Sequence, residues 1–250
     1  MIKTLLARLH QGYRTNAYPK KTPALPDRFR GMPSLDAAAC TAGCTCCVGA
    51  CPTSAVSTEN GVSLDLGACT FCAECAAACP THALRFTRGF ELSARNRNDL
   101  LTKGNSPVPC APLEPRLRSL FGRSLKLRQV SAGGCGACEA DINVLSTIVW
   151  DIGRFGIQVV ASPRHADGLI VTGPVTENMR VALKKTYDAL PSPKLVIACG
   201  ACAISGGLYR TSIHQHGGVD SQVPVDLYIP GCPPHPLTIL HGLLRLIGRA

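Results

Sequence analysis

The 250-residue chain has no uninterrupted apolar run approaching the roughly 18 residues that a spanning helix needs, so no stretch reads as a membrane span. Its N-terminus, MIKTLLARLHQGYRTN, lacks an apolar core of useful length, a small-residue cleavage site and a twin-arginine pair, so the expectation is a cytoplasmic protein. Aromatic residues are scarce, at 5% with a single Trp, which leaves little for stacking nucleic-acid bases. Neither a GxGxxG nor a P-loop occurs, so the chain should not oxidise NADH itself. Acidic residues are also few: 16 Asp and Glu against 26 Lys and Arg leave a formal charge of +10. Taken alone, that surplus would suggest nucleic acid or another polyanion as a partner.

Cysteine, by contrast, is abundant, with 15 in the chain. An odd count at tight C-x2-C spacings suits metal ligation in a reducing compartment better than disulfides. The most informative stretch is CTFCAECAAACP, in which Cys69, Cys72, Cys75 and Cys79 precede Pro80. This C-x2-C-x2-C-x3-C-P run is how bacterial ferredoxins hold 4Fe-4S clusters. Three thiolates on one tight loop cap three corners of the cube, and the proline ends the turn that carries the fourth. A zinc-stabilised interaction module is the competing reading, but zinc sites usually pair two C-x2-C knuckles. In two-cluster ferredoxins the fourth cysteine serves the other cluster, so one run calls for a second. The second run is present: CPTSAV at 51–56 recurs as CPTHAL at 79–84, and Cys44, Cys47 and Cys51 each lie 28 residues before Cys72, Cys75 and Cys79. Cys40 lies 29 before Cys69, so the first run is C-x3-C-x2-C-x3-C-P. Crossed ligation then assigns Cys40, Cys44, Cys47 and Cys79 to one cluster and Cys51, Cys69, Cys72 and Cys75 to the other. Cys46 has no repeat counterpart and could replace a neighbour in the lengthened loop. VSLD at 62–65 should pair back across an Asn60–Gly61 turn.

This module spans residues 34–87. Before it, residues 1–33 form a basic, proline-spaced arm, either laid on a partner or frayed. After it, residues 88–124 read as a linker in which prolines at 107, 109, 112 and 115 forbid a long helix and Cys110 is an uninvolved thiol. LEPRLRSLFGRSLKLR resumes an amphipathic pattern whose Arg116, Arg118, Arg123, Lys126 and Arg128 face headgroups, an acidic partner or simply solvent. Residues 125–250 alternate apolar runs (LKLRQV, IQVVAS, GLIVTG, KLVIAC, VDLYIP) with helical patterns, which argues α/β architecture with a doubly wound parallel sheet of flavodoxin type. Cys135 and Cys138 follow the first of these strands, Cys199 and Cys202 the fourth and Cys232 the fifth, all at the strand ends where open α/β sheets gather ligands. Five thiols from three segments exceed the four that a third 4Fe-4S cluster requires. Three such centres, each carrying roughly −2 when oxidised, lower the charge to about +4, and the case for nucleic acid weakens. Glu139 reads as a favourable charge at a helix start, and His214, His216 and His235 as exposed loop histidines.

GGCGACEADI at 133–142, ADGLIVTGPVTENM at 166–179, CGACAISGG at 199–207 and PGCPPHP at 230–236 together resemble the proximal-cluster subunit shared by respiratory complex I (the NuoB-type subunit) and membrane-bound NiFe hydrogenases. Residues 17–87, with LPDRFRG ahead of the cysteine runs, resemble the NuoI- or HycF-type ferredoxin subunit of the same complexes. The resemblance implies a fusion of two neighbouring electron-transfer subunits. The complex I subunit has adjacent cysteines where this chain has Cys135-Gly-Ala-Cys138, so the C-x2-C spacing and GPVTENM place the resemblance with energy-converting hydrogenases of the formate-hydrogenlyase type. It further implies that Cys135, Cys138, Cys202 and Cys232 hold a proximal cluster, with Cys199 as a departure from the pattern. Implied partners are a NiFe large subunit or its complex I homologue, membrane-arm subunits and an upstream electron donor. The implied place is the cytoplasmic face of the inner membrane, and the implied role is non-catalytic alone. A complex I-like quinone oxidoreductase subunit is the alternative within the family.

Overall fold

The computed structural model describes residues 2–59, 61–103 and 110–250; Asn60 of the expected turn and Pro107 and Pro109 of the expected linker lie outside them. Helix α1 (Ile2–Gln11) opens the chain and buries none of its residues. The repeat read from the cysteine spacing then appears as two similar passes. The first is β1 (Pro33–Leu35), α2 (Cys46–Gly49) and β2 (Val56–Ser57), and the second is β3 (Ser63–Asp65), α3 (Glu74–Ala77) and β4 (Leu84–Phe86). Each helix is a single turn, because a cysteine and then Pro52 or Pro80 follow it closely. The passes exchange strands. β1 runs antiparallel to β4, with Ser34 opposite Arg85, and β2 runs antiparallel to β3, with Val56 opposite Leu64. VSLD thus pairs back as its sequence suggests. Residues of the 88–124 stretch add to the module: β5 (Leu101–Thr102) joins β3 with Thr102 opposite Leu64.

Helix α4 (Pro115–Phe121), with Pro115 in its first turn, leads into the second unit. Its strands are β6 (Leu125–Ser131), β7 (Ile157–Val159), β8 (Gly168–Thr172), β9 (Leu195–Cys199) and β10 (Leu227–Ile229). They lie in the order β10-β9-β8-β6-β7, every pair parallel. Counted within the sheet this is 2-1-3-4-5, the flavodoxin order, and its topological switch point falls between β6 and β8. Both faces are buried, as the unbroken apolar runs require. Val196 and Ala198 of β9 face a core shared with Leu169, Val171 and α6 (Glu177–Asp188), while Leu195, Ile197 and Cys199 face α5 (Ala137–Val144) and α8 (Pro236–Leu246). Nearly every residue of α8 is buried, which matches its apolar character all round. The short α7 (Ala201–Ser205) follows β9.

The two units share one core. Leu64, Leu66 and Leu84 of the cysteine module cluster with Val171, Val196 and Ile204 of the sheet unit. Ala94 exchanges both backbone bonds with Tyr228, at 3.0 and 2.8 Å, and so covers the β10 edge. Ser205 Oγ donates to Gly67 O at 3.1 Å, and Arg97 clasps Asp65 through both of its carboxylate oxygens. The N-terminal arm is also tied down in part. Asn16 N donates to Val149 O at 2.9 Å, Arg154 donates to the carbonyls of Asn16 and Tyr18, and Tyr18 is buried beside Phe90 and His241.

Candidate functional site

In the cysteine module, α2 carries Cys46 and Cys47 and α3 carries Cys75. Cys69 and Cys75 are buried, whereas Cys40, Cys44, Cys47, Cys51, Cys72 and Cys79 are part-exposed. Burial pushes the Cys69 thiol up to about 12, with Cys75, Cys51 and Cys72 adding to the effect. Burial likewise raises Cys75 to about 11, assisted by Cys51 and Cys72. Cys47 of the first run also acts on Cys75, so thiols of both runs lie in one neighbourhood. Cys47 is raised by burial and by Cys40 and Cys44. Cys79 differs. Burial raises it slightly, but backbone N–H groups of Leu84 and Ala83 and the Thr81 hydroxyl outweigh this and lower it. Its repeat partner Cys51 is cradled the same way, accepting from Ala55 N at 3.1 Å. Cys46 is exposed beside Cys44, whose thiol hydrogen-bonds to it.

The second site sits over the C-terminal strand ends at the switch point. Gly134 and Cys135 follow β6, Gly173 follows β8, Cys202 lies in the first turn of α7, and Gly231 and Cys232 follow β10; with Cys138 of α5 they line one crevice. Burial raises Cys138 most, and then Glu139, Cys202, Cys232 and Cys135 raise it further. Cys202 is pushed up to about 11 by burial, Cys232 and Cys135. Glycines make room for these sulfurs. Gly200, at φ +95°, would place a Cβ 2.6 Å from Cys138 Sγ, and Gly207 a Cβ 2.8 Å from the Cys202 sulfur. Cys199, three residues before Cys202, is fully buried in the core beneath.

Glu139 occupies the first turn of α5, where a carboxylate is favoured. Its Oε1 accepts from Ser131 Oγ at 2.5 Å and Thr172 Oγ1 at 2.6 Å, which ties α5 to the ends of β6 and β8. His214 is exposed and His216 pairs with Glu177 at 2.6 Å. His235 departs from the sequence reading. It is part-buried between Phe29 and Trp150 and its Nδ1 accepts from Leu237 N, which caps α8. The H-P pair before an apolar helix is the sequence signal that could have shown the cap. Cys110, expected in a linker, is buried in the second core.

The donor sets test the choice of metal. Among the described residues, no three His, Cys, Asp or Glu side chains are grouped closely enough to hold a single metal ion. The donors that line the crevice are thiols, the ligand type that iron–sulfur clusters use. The burial that raises Cys69, Cys75, Cys138 and Cys202 disfavours their thiolates, and a bound metal centre would supply the positive charge that offsets this.

Comparison with known proteins agrees with this chemistry. The model of the family described as NADH ubiquinone oxidoreductase, 20 Kd subunit, matches residues 135–246, and that of the 4Fe-4S binding domain matches residues 62–85. Formate hydrogenlyase subunit 7 of Escherichia coli (strain K12) is 40% identical over 157 residues, 63% of this chain and 62% of that protein, so the chain spans less than two thirds of it. The probable membrane-bound hydrogenase subunit mbhJ of Pyrococcus furiosus is 43% identical over 135 residues, 53% of this chain and 81% of that protein. An NADH-quinone oxidoreductase subunit of Clostridium beijerinckii is 48% identical over 114 residues, covering 45% of this chain and 68% of that protein. The chain therefore carries a 4Fe-4S binding domain and, through its sheet unit, belongs to the family of the NADH ubiquinone oxidoreductase 20 Kd subunit.

Proposed function

We propose that the chain is the electron-transfer iron–sulfur subunit of a membrane-bound, energy-converting NiFe hydrogenase of the formate-hydrogenlyase type. In this reading three 4Fe-4S clusters are held by Cys40, Cys44, Cys47 and Cys79, by Cys51, Cys69, Cys72 and Cys75, and by Cys135, Cys138, Cys202 and Cys232. The observation that carries it is the crevice at the switch point, where four thiols from three distant segments meet beside a two-run cysteine module in the same chain. Bound clusters would supply one-electron redox chemistry at potentials set by their surroundings. The chain's own residues hold, space and desolvate them. Burial around Cys69, Cys75, Cys138 and Cys202 excludes water from the sulfurs, and the shared core keeps the two units at a fixed separation. A NiFe large subunit, membrane-arm subunits and an upstream donor are the partners this role requires.

The 48% identity to an NADH-quinone oxidoreductase subunit favours a second reading, a quinone-reducing complex of the same family. Purifying the assembled complex and supplying it with a low-potential donor separates the two: hydrogen evolution supports the first, and quinone reduction without hydrogen overturns it.

A peripheral attachment to the membrane surface, on its cytoplasmic face, is part of the same proposal. No helix among the described residues is long and apolar enough to cross a membrane. Helix α1 nevertheless leaves Ile2, Leu5, Leu6 and Leu9 largely exposed at i, i+3, i+4, i+7 spacing, and no Asp or Glu precedes Asp27. An apolar face with only basic charges around it suits an anionic bilayer surface, where each basic residue contributes about 1 kcal/mol. The wild-type chain should co-sediment with vesicles containing anionic lipid, and Leu5→Glu with Leu9→Glu should abolish this. Binding that survives both changes would remove α1 from the account.

A further inference from the structure

A cleft of about 320 Å³ separates the second cysteine run from the Cys232 loop; its walls include Arg30, Thr70, Phe71, Cys232, Pro233 and His235. Two adjacent residues of the arm reach its opposite sides. The Phe29 ring packs edge-on against His235 at 5.2 Å, on the side of the Cys232 loop. Arg30 Nη1 donates to the carbonyl of Cys72 at 2.7 Å and to that of Phe71 at 3.3 Å, on the ferredoxin side. The backbone that follows them is anchored, since Gly31 N donates to Thr87 O at 2.8 Å and Met32 N to Gly89 O at 2.7 Å. Thr70 and Phe71, just ahead of Cys72, line this cleft together with Cys232, so the two loops face each other across it.

Resting on the proposed function, we propose that Arg30 is a positioning residue for electron transfer between the Cys51–Cys69–Cys72–Cys75 set and the Cys135–Cys138–Cys202–Cys232 set. It fastens the Cys72 loop beside the Cys232 loop and places a permanent positive charge between two anionic centres. In the step concerned one electron leaves one centre and enters the other; no covalent bond forms or breaks, and Arg30 neither gains nor loses a proton. A guanidinium keeps its charge at every working pH, and the two N–H groups of its Nη1 fork to two neighbouring carbonyls. Charge and hydrogen bonding next to a ligand residue tune the centre it holds. Each added electron makes a centre more negative, so a nearby cation favours the reduced form and raises the potential. Arg30 is exposed, so water and salt screen part of this effect.

The test uses the full chain reconstituted anaerobically with iron and sulfide. It is titrated with dithionite, and the clusters are followed by electron paramagnetic resonance in the wild type, Arg30→Gln and Arg30→Lys. Gln keeps a donor for the Cys72 carbonyl and loses the charge; Lys keeps the charge and loses the fork. Arg30→Gln should shift the reduction equilibrium of the Cys72-side centre about threefold toward the oxidised form, roughly 28 mV for a one-electron couple. Arg30→Lys should stay closer to the wild type. If both centres assemble in Arg30→Gln and their potentials do not move, the inference fails. Equal shifts for Gln and Lys also overturn it, because the charge would then not be what acts. A wild-type chain that never shows both centres would instead refute the three-cluster reading itself.

Discussion

Exchanging one sulfur for oxygen at Cys199 or at Cys202, two positions three residues apart, should give opposite results. Cys199 ends β9 with no exposed surface and packs among Ile197, Ile229 and α8. Cys199→Ser puts a hydroxyl into that apolar site, and burying such a group without a partner costs about 1–3 kcal/mol. For a chain of this length each kcal/mol lowers the melting temperature by about 2–4 °C, while the crevice thiols are untouched. Cys202→Ser leaves the core alone and removes one of four thiols lining the crevice. Cys199 cannot take its place, because it lies beneath the crevice floor and its loop begins at Gly200, held at φ +95°. The expected result is loss of the proximal signal and of about four irons from about twelve per chain. Iron analysis, electron paramagnetic resonance and a thermal scan on each variant make the comparison. If Cys199→Ser loses the proximal signal while Cys202→Ser keeps it, the ligand assignment is displaced by three residues and the crevice argument fails.

Cys110→Ser should keep every cluster signal yet lose about 1–3 kcal/mol of stability to denaturant, because the thiol is buried in the second core; loss of iron in this variant would show it to be a ligand. Gly200→Ala should disturb the proximal signal alone, since φ +95° with ψ 154° is backbone essentially reserved for glycine and the new Cβ would press on the Cys138 sulfur; an unchanged spectrum would show that the crevice yields. Burial lowers His241 below its ordinary 6.5, and Tyr18, pushed up to about 12 by burial and by Glu91, shares a hydrogen bond with its Nδ1. A base depressed in the folded state takes up fewer protons than in the unfolded chain, so stability is present above pH 6.5 and falls as the pH drops below it. Denaturation midpoints at pH 7.5 and about 5.5 should therefore diverge in the wild type and converge in His241→Gln.

Local pattern carried most of this molecule. The 28-residue repeat was legible because ligand spacing and the C-P ends are fixed by the cluster loop, and Cys44, Cys47 and Cys51 recur at Cys72, Cys75 and Cys79. The parallel sheet was legible because each strand is an apolar run bounded by glycine, proline or polar residues, as at GLIVTG. The crevice followed from the chemistry-bearing residues lying just past those strand ends. What stayed hidden depends on contacts between distant segments. Cys199 and Cys202 are told apart in CGACAISGG by the family resemblance alone, and the physical reason, that Cys199 ends β9 in the core while Cys202 lines the crevice, comes from the fold. Cys110 sits among prolines that read as a linker, yet the core that buries it is shared with α8, which begins at Pro236.

Arg30 and His235 show the same limit at the junction of the two units. In sequence Arg30 is one basic residue in an arm rich in them, and His235 one histidine in a loop of prolines. Neither has a periodicity to announce its neighbours. The hydrogen bonds of Gly31 and Met32 to Thr87 and Gly89 fix where the arm crosses the module, and the shared core fixes where the Cys232 loop stands relative to it. Given those two constraints, consecutive side chains must fall on opposite walls of the cleft, Phe29 against the α8 cap and Arg30 against the Cys72 carbonyl. A residue at this junction is thus specified by the packing between units. Substitutions at Leu66 or Ile204, which are buried in that shared core and carry no thiol themselves, should move the cleft walls and so change the coupling between the two centres without removing either.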